Sequence, residues 1–218
     1  MVVNNCYMID IPDDYPECVM LRYDHARNPR SSELDKHFDN IDGLHFLPAG
    51  ASMLKRIKKL DMIDSDHGTY TVLRVNIVDV LVAEAGCDVK VQRIFVGGDL
   101  WADFQVVIVP NVADCVDYSR SKFSWVKYGD LEKVRIDDFV FRCDSLGGRK
   151  IVRCAVVEKD GWLPGPEVLV ESLGEEIVAM KPRGLVLSKC NCFDDGKTGE
   201  RLRQEYLAAA KLPGSGVF

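Results

Sequence analysis

This 218-residue sequence is poor in histidine: there are four, His25, His37, His45 and His67, all in the first third and all in turn-rich surroundings. A nucleophilic triad needs a histidine close to a serine or cysteine and to an acid, and no Gly-x-Ser-x-Gly turn is there to present the nucleophile. A glycine-rich phosphate loop is lacking too. Gly97-Gly98 follows a strand-like run but leads into Asp99-Leu100-Trp101, which sets an acid where an anion would sit. Acids come in adjacent pairs, Asp137-Asp138, Glu175-Glu176 and Asp194-Asp195, and neighbours in an extended chain point to opposite faces, so they form no acid–base pair. Cys190-Asn-Cys192 is the one close cysteine spacing, without a second Cys-x-x-Cys or a His-x-x-x-His to complete a zinc tetrad. The expectation is a protein that is not an enzyme, with no catalytic residues, cofactor or metal.

Basic charge is in deficit, 28 Lys and Arg against 34 Asp and Glu for a net charge of −6, so a general nucleic-acid binder is not expected. The densest basic run, Lys55, Arg56, Lys58 and Lys59, is threaded by Leu54, Ile57 and Leu60 at helical spacing and reads as the solvated face of a helix. No run of about 18 apolar residues spans a membrane. The opening MVVNNCYMIDIPDDYPE has no basic segment ahead of an apolar one, so no secretory signal is read and a cytoplasmic location is expected. The eight cysteines are accordingly expected as reduced thiols, most of them buried in strand-like runs.

Apolar residues make up 47% of the chain, enough for a sizeable core. The stretch FQVVIVPNVADCVDYSRSKF, Phe104 to Phe123, organises the rest. Phe104–Val109 is apolar at nearly every position and predicts a central strand covered on both faces, which Pro110 must end. Val2–Ile11 and Cys18–Tyr23 read as strands, and Asp24–Gly50 as loops with a short strand near Leu44–Leu47. Lys133–Cys143 and Ile151–Val157 read as a ribbon turned at Gly147-Gly148. VLRVNIVDVLVAEAGCDVKV (72–91) superimposes without a gap on VLVESLGEEIVAMKPRGLVL (168–187), matching Ile77 with Leu173, Leu81 with Ile177, Val82 with Val178 and Ala83 with Ala179. Either this is a true helix–turn–strand repeat stacked on one mixed sheet, or any two amphipathic helices followed by strands would align as well. The fold class is α+β, a mixed, largely antiparallel sheet with a few packed helices. Residues 1–192 are expected as one domain, with an irregular part over 1–69 and a core over 70–192, and 193–218 as a short helix, near Gly199–Lys211, and a tail.

Aromatic residues punctuate acidic ones in the second half, the composition of protein–protein hot spots. The candidate partner-binding residues are Asp99, Trp101, Asp103, Asp117, Tyr118, Trp125, Tyr128 and Asp130, with Asp99, Asp103 and Asp130 expected in exposed loops. The segment DFQVVIVPNVADCVDYSRSKF, with Leu131–Ile136, KIVRCAVVEKD and the VLVESLGEEI helix, resembles immunity proteins of bacterial polymorphic-toxin systems, contact-dependent or type VI secreted. That family carries a tyrosine-rich strand, an asparagine and a Val-Asp-x-x-Asp-x-x-x-Ser core. It maps here onto Phe104–Val109, Asn111, Asp114, Asp117 and Ser121, with Val106-Val107 where the family has aromatic residues. The resemblance covers roughly Tyr70 to Lys189. It implies a cytoplasmic antidote that binds a cognate protein toxin and masks its active site. The acidic balance suits a basic partner such as a nuclease-like domain. No nucleic-acid or membrane partner is expected, and self-association is left open. The competing readings are a small hydrolase or transferase with a site near the histidines, and an adaptor domain.

Overall fold

The computed structural model describes residues 2–12, 14–16, 19–30, 33–65, 70–128, 131–158 and 161–194. In chain order the first half holds β1 (Val2–Asp10), β2 (Met20–Leu21), α1 (Leu34–His37), β3 (Leu44–Phe46), α2 (Ala51–Ile57), β4 (Met62–Ser65), β5 (Thr71–Arg74), α3 (Val75–Ala85) and β6 (Lys90–Val96). The second half holds β7 (Asp99–Ile108), β8 (Val112–Ala113), β9 (Lys122–Tyr128), β10 (Leu131–Asp138), β11 (Val140–Arg142), β12 (Ile151–Glu158), β13 (Gly161–Val170), α4 (Glu171–Ala179) and β14 (Val186–Asp194). The class is α+β with two mixed sheets. No helix among the described residues is long and apolar enough to cross a membrane. The expected helix near Gly199–Lys211 lies outside the described residues.

The residues expected as one domain are shared between two compact units. One comprises Met1–Met8, Asn111–Gly174 and Ser188–Phe218, the other Ile9–Pro110 and Glu175–Leu187. The expected boundary at 69/70 falls inside the second of these.

In the Ile9–Pro110 unit six strands run in the order β2-β4-β5-β7-β6-β3. β7 lies inside the sheet, antiparallel to β5 and β6, as its unbroken apolar run predicts: Phe104 and Val106 through Val109 are all buried. The turn from β6 into β7 is Gly97-Gly98, whose φ angles of 64° and 99° only glycine adopts readily. Leu21, Phe38, Leu44, Phe46, Ile57 and Ile63 fill the core against the sheet.

In the other unit the order is β11-β14-β1-β13-β12-β10-β9, with β8 also paired to β12. Cys6, Cys115, Val116, Phe141, Val152 and Val168 are among its core. Two expectations are corrected here. Of the expected ribbon, β10 does pair antiparallel with β12, Lys133 opposite Glu158, but the last part of the stretch before Gly147-Gly148 does not return on Ile151–Val157, because β11 runs parallel to β14 instead, Phe141 opposite Cys192. That pairing brings the Cα atoms of Cys143 and Cys192 to 5.6 Å, within disulfide reach, and the two are joined rather than being free thiols.

The repeat is real, and it extends beyond the stretch read in the sequence. Leu44 and Val140, Val75 and Glu171, and Lys90 and Val186 open corresponding elements, and each pair stands 96 residues apart. Ile77 and Leu173 are buried alike, as are Leu81 and Ile177, while Val82 and Val178 face outward at 43% and 44% exposure. The pairings repeat as well. β2 is parallel to β4 as β8 is to β12, and β4 is antiparallel to β5 as β12 is to β13. β3 is parallel to β6 as β11 is to β14. Among the described residues the copies differ in two connections: the β9–β10 hairpin stands where the first copy has α1, and a 3-10 turn at Asp144–Leu146 stands where the first copy has α2. The copies do not stack on one sheet, as the sequence suggested, but build one sheet each.

The central strands are exchanged. β5 and β6 of the first copy enclose β7, the opening strand of the second, and β13 and β14 of the second enclose β1, the opening strand of the first. Val72 faces Val106 and its counterpart Val168 faces Met8, so the two central strands hold equivalent positions, and each is followed four residues later by a proline, Pro110 and Pro12. Their surroundings differ in size. Leu73 faces Gln105 where Leu169 faces Tyr7, and the helix position that is Val78 in α3 is Gly174 in α4. A Cβ at Gly174 would lie 2.1 Å from Cδ2 of Tyr7. Gly174→Ala is therefore expected to cost about 1–3 kcal/mol by overpacking. Tyr7→Val in the same chain should recover part of the loss, a coupling readable by chemical denaturation of the two single variants and the double.

Candidate functional site

Pairing between β6 and β7 is interrupted at one place. From Phe95 opposite Leu100 to Arg93 opposite Gln105, β6 advances two residues while β7 advances five. On its other edge β7 pairs with β5 only from Phe104 onward. Trp101 to Asp103, in register with neither neighbouring strand, thus form a bulge directly after the paired Leu100, the device by which a sheet re-aims side chains. Leu100 is half exposed, Asp99, Ala102 and Asp103 are exposed, and Trp101 rests partly buried on the core.

The bulge forms one wall of a cavity of about 400 Å³, and Leu54, Ile57 and Lys58 at α2 form the other, with Phe104 among the lining residues. Ile57 points into the core, which fixes the helix, as the apolar spacing inside the basic run predicts. Arg74 ties the two walls together. It donates to the carbonyls of Leu60 at 2.7 Å and Lys58 at 2.9 Å, satisfying acceptors that the end of α2 leaves without helical partners. It also pairs with Asp61 at 2.8 Å, and its guanidinium lies 4.8 Å from the centre of the Phe104 ring. The counterpart of Arg74 in the second copy is Val170, so this bracing belongs to the first copy alone.

Chemically the cavity is an apolar recess with one carboxylate, Asp103, and one ammonium, Lys58, in its lining. It is built to hold an apolar group with charges beside it. None of the described histidines, His25, His37 and His45, lines it. His45 stacks on Phe95 at 4.8 Å and His25 meets Tyr23 edge-on, while His67 lies outside the described residues. No family model matches this chain, and no curated protein matches it.

The candidate partner-binding residues divide. Trp101 and Asp103 stand in the bulge and line the recess, and Asp99 lies on the paired stretch just before it, all three on a strand where the sequence suggested a loop. Asp117 and Tyr118 are corrected to interior residues, 0% and 4% exposed, in the other unit. The Asp117 carboxylate accepts from the Ser119 amide at 3.1 Å and hydroxyl at 2.6 Å and pairs with Arg120, while its backbone N–H donates to the Val140 carbonyl at 2.8 Å. Ser121 Oγ accepts from the Val140 N–H at 3.0 Å. The motif that carries the family resemblance thus pins the turn after β8 to β11. Tyr118 reaches the Ala155 carbonyl at 3.4 Å. Trp125 and Tyr128 stand on β9, their side chains outside the described part, and Asp130 lies outside the described residues. Sequence reading missed Leu54, Lys58 and Arg74, and the bulge itself leaves no trace in alternation of apolar and polar residues.

The remaining reactive side chains are held in reserve by burial. Cys6, Cys115 and Cys154 lie in the core, and burial pushes all three thiols well above their ordinary range. Cys87 is exposed. Maleimide labelling of the native protein at neutral pH should therefore modify Cys87 and spare Cys6, Cys115 and Cys154 until the chain is unfolded, as read by peptide mass mapping. Burial also pushes the Tyr23 hydroxyl up to about 12, its proton donated to the Pro29 carbonyl at 2.8 Å. Groups with raised folded pKa values add stability that is complete below their unfolded values and is lost as pH climbs through the folded ones. On the alkaline side the melting temperature, followed by calorimetry, should fall continuously between pH 9, the ordinary thiol value, and about 12.

Proposed function

We propose that this chain is a binding protein without turnover, an immunity protein that neutralises a cognate protein toxin in the cytoplasm by covering the toxin's active site. The single observation that carries this reading is the β7 bulge: half-exposed Leu100 set between exposed Asp99 and Asp103, over a recess containing Trp101 and Phe104. An apolar anchor site rimmed by charge is the anatomy of an interface hot spot. The two acids, neither ion-paired among the described residues, favour a partner with a basic segment beside an apolar side chain, and the net charge of −6 would steer such a partner from a distance. The motif resemblance over Tyr70 to Lys189 supports the same function and the same fold class. The free thiols among the described residues suit a reducing compartment.

The test is co-purification with the C-terminal region of the polypeptide encoded immediately upstream, with rescue of cells expressing that region. A complex and restored growth are expected, and a folded pair that neither associates nor rescues would overturn the reading. Within a complex, Asp99→Lys with Asp103→Lys should weaken binding at least about tenfold, mainly through slower association that depends on salt, with melting unchanged. Asp117→Ala should do the opposite, lowering the melting temperature while leaving the affinity of the folded fraction intact.

A further inference from the structure

The exchange of central strands has a consequence for what this chain can bind. Each sheet holds a slot bounded by two strands of one copy, and each slot is filled by the opening strand of the other copy. A copy on its own would leave both edges of its slot unpaired, with its own opening strand elsewhere, and unpaired edges in a sheet interior are costly enough to demand an occupant. Two identical copies that donate opening strands to one another form a closed pair, the arrangement of a domain-swapped dimer. The ring is nearly complete in this chain. β6 passes into β7 through two glycines, and the corresponding neighbours at the other end are also adjacent: Asn4 near the start of β1 donates to Asp194 at the end of β14 at 3.4 Å.

We propose that the chain is a fused strand-exchange pair, and that the slot between β13 and β14 is a strand-binding site whose occupant, β1, is separable and can be supplied by a second copy of this chain. The slot has the features of a specific site rather than of a generic sheet edge. Cys6 and Tyr7 are buried in it, Cys6 opposite Val170 and Tyr7 opposite Leu169, and Gly174 leaves the space that the tyrosine ring occupies. At the end of the slot Asn5 donates to Glu171 at 2.6 Å, and Lys189 pairs with the same carboxylate at 3.3 Å while lying 5.7 Å from the centre of the Tyr7 ring. Backbone pairing supplies the affinity and these side chains supply the register, the division of labour in strand addition. The other slot presents Val78 where this one presents Gly174, so a strand bearing tyrosine is not expected to fit there.

The experiment uses the full chain with a protease site introduced between Pro12 and Val19. After cleavage of the folded protein, β1 should stay with the remainder through gel filtration. A fluorescent synthetic peptide of residues 1–12 in excess should replace it, and the same peptide carrying Tyr7→Lys should not. A second protein, cleaved instead at Gly97-Gly98, should run as one particle of undiminished size and come apart into 1–97 and 98–218 only in denaturant. Loss of the β1 fragment on cleavage without uptake of the labelled peptide, whether or not the remainder stays folded, would overturn the proposal, as would native separation of the two halves. Neither outcome touches the toxin-binding reading, which depends on the β7 bulge.

Discussion

A strand buried on both faces and in the middle of a sheet must have its N–H and C=O groups paired along both edges, and in this protein that requirement is met twice from the far side of the repeat. β7 closes the gap between β5 and β6, and β1 closes the gap between β13 and β14. Much else follows. The apolar run that marks β7 exists because both its faces are covered, the helices α3 and α4 carry matching buried and outward positions because each follows the first edge strand of such a gap, and the two compact units are interleaved in sequence because each holds a strand of the other's copy. Fusion of the copies removes the translational and rotational cost of assembling them, which a free pair would meet at every encounter.

The two sheets differ at their rims. The sheet built by the first copy holds Arg74, which ties the end of α2 to β5 and lies against Phe104, and it receives the bulge in β7, the opening strand of the second copy, which opens the recess. The second holds Val170 at the first of these positions and spends its variation on the β9–β10 hairpin and on the Cys143–Cys192 bond. Topology is kept between the copies while their rims differ, because the regular parts carry the packing and the irregular parts are free to vary.

What could be read from the sequence follows a physical division between local and distant causes. β7, β3, the amphipathic α2 and the paired helices were legible because their patterns arise within a few residues, from alternation, helical spacing and the stop at Pro110. The exposure of Asp99 and Asp103 was legible from composition, as acids beside an aromatic ring. Asp117 and Tyr118 were misplaced for the same reason: composition cannot tell an acid held by Ser119 and Arg120 inside a turn from one facing water. The bulge, the disulfide and the exchange were not legible at all. Each depends on which strands become neighbours, and β11 beside β14 or β1 beside β13 is decided by packing across most of the chain's length.

The position of β1 also sets the order in which the molecule can be made. Tyr7 pairs with Leu169, so β1 leaves the ribosome well before the strand it pairs with. At ordinary rates of synthesis, about 5–20 residues per second, that apolar strand waits on the order of 10 to 40 s before β14 completes its site. The six-strand sheet is finished first, since every strand it needs has emerged once β7 is made, whereas the other stays open in the middle until β14 is made. Maturation in the cell is thus governed by the handling of β1 during translation, and the nascent chain's exposure to chaperones and proteases falls within that interval.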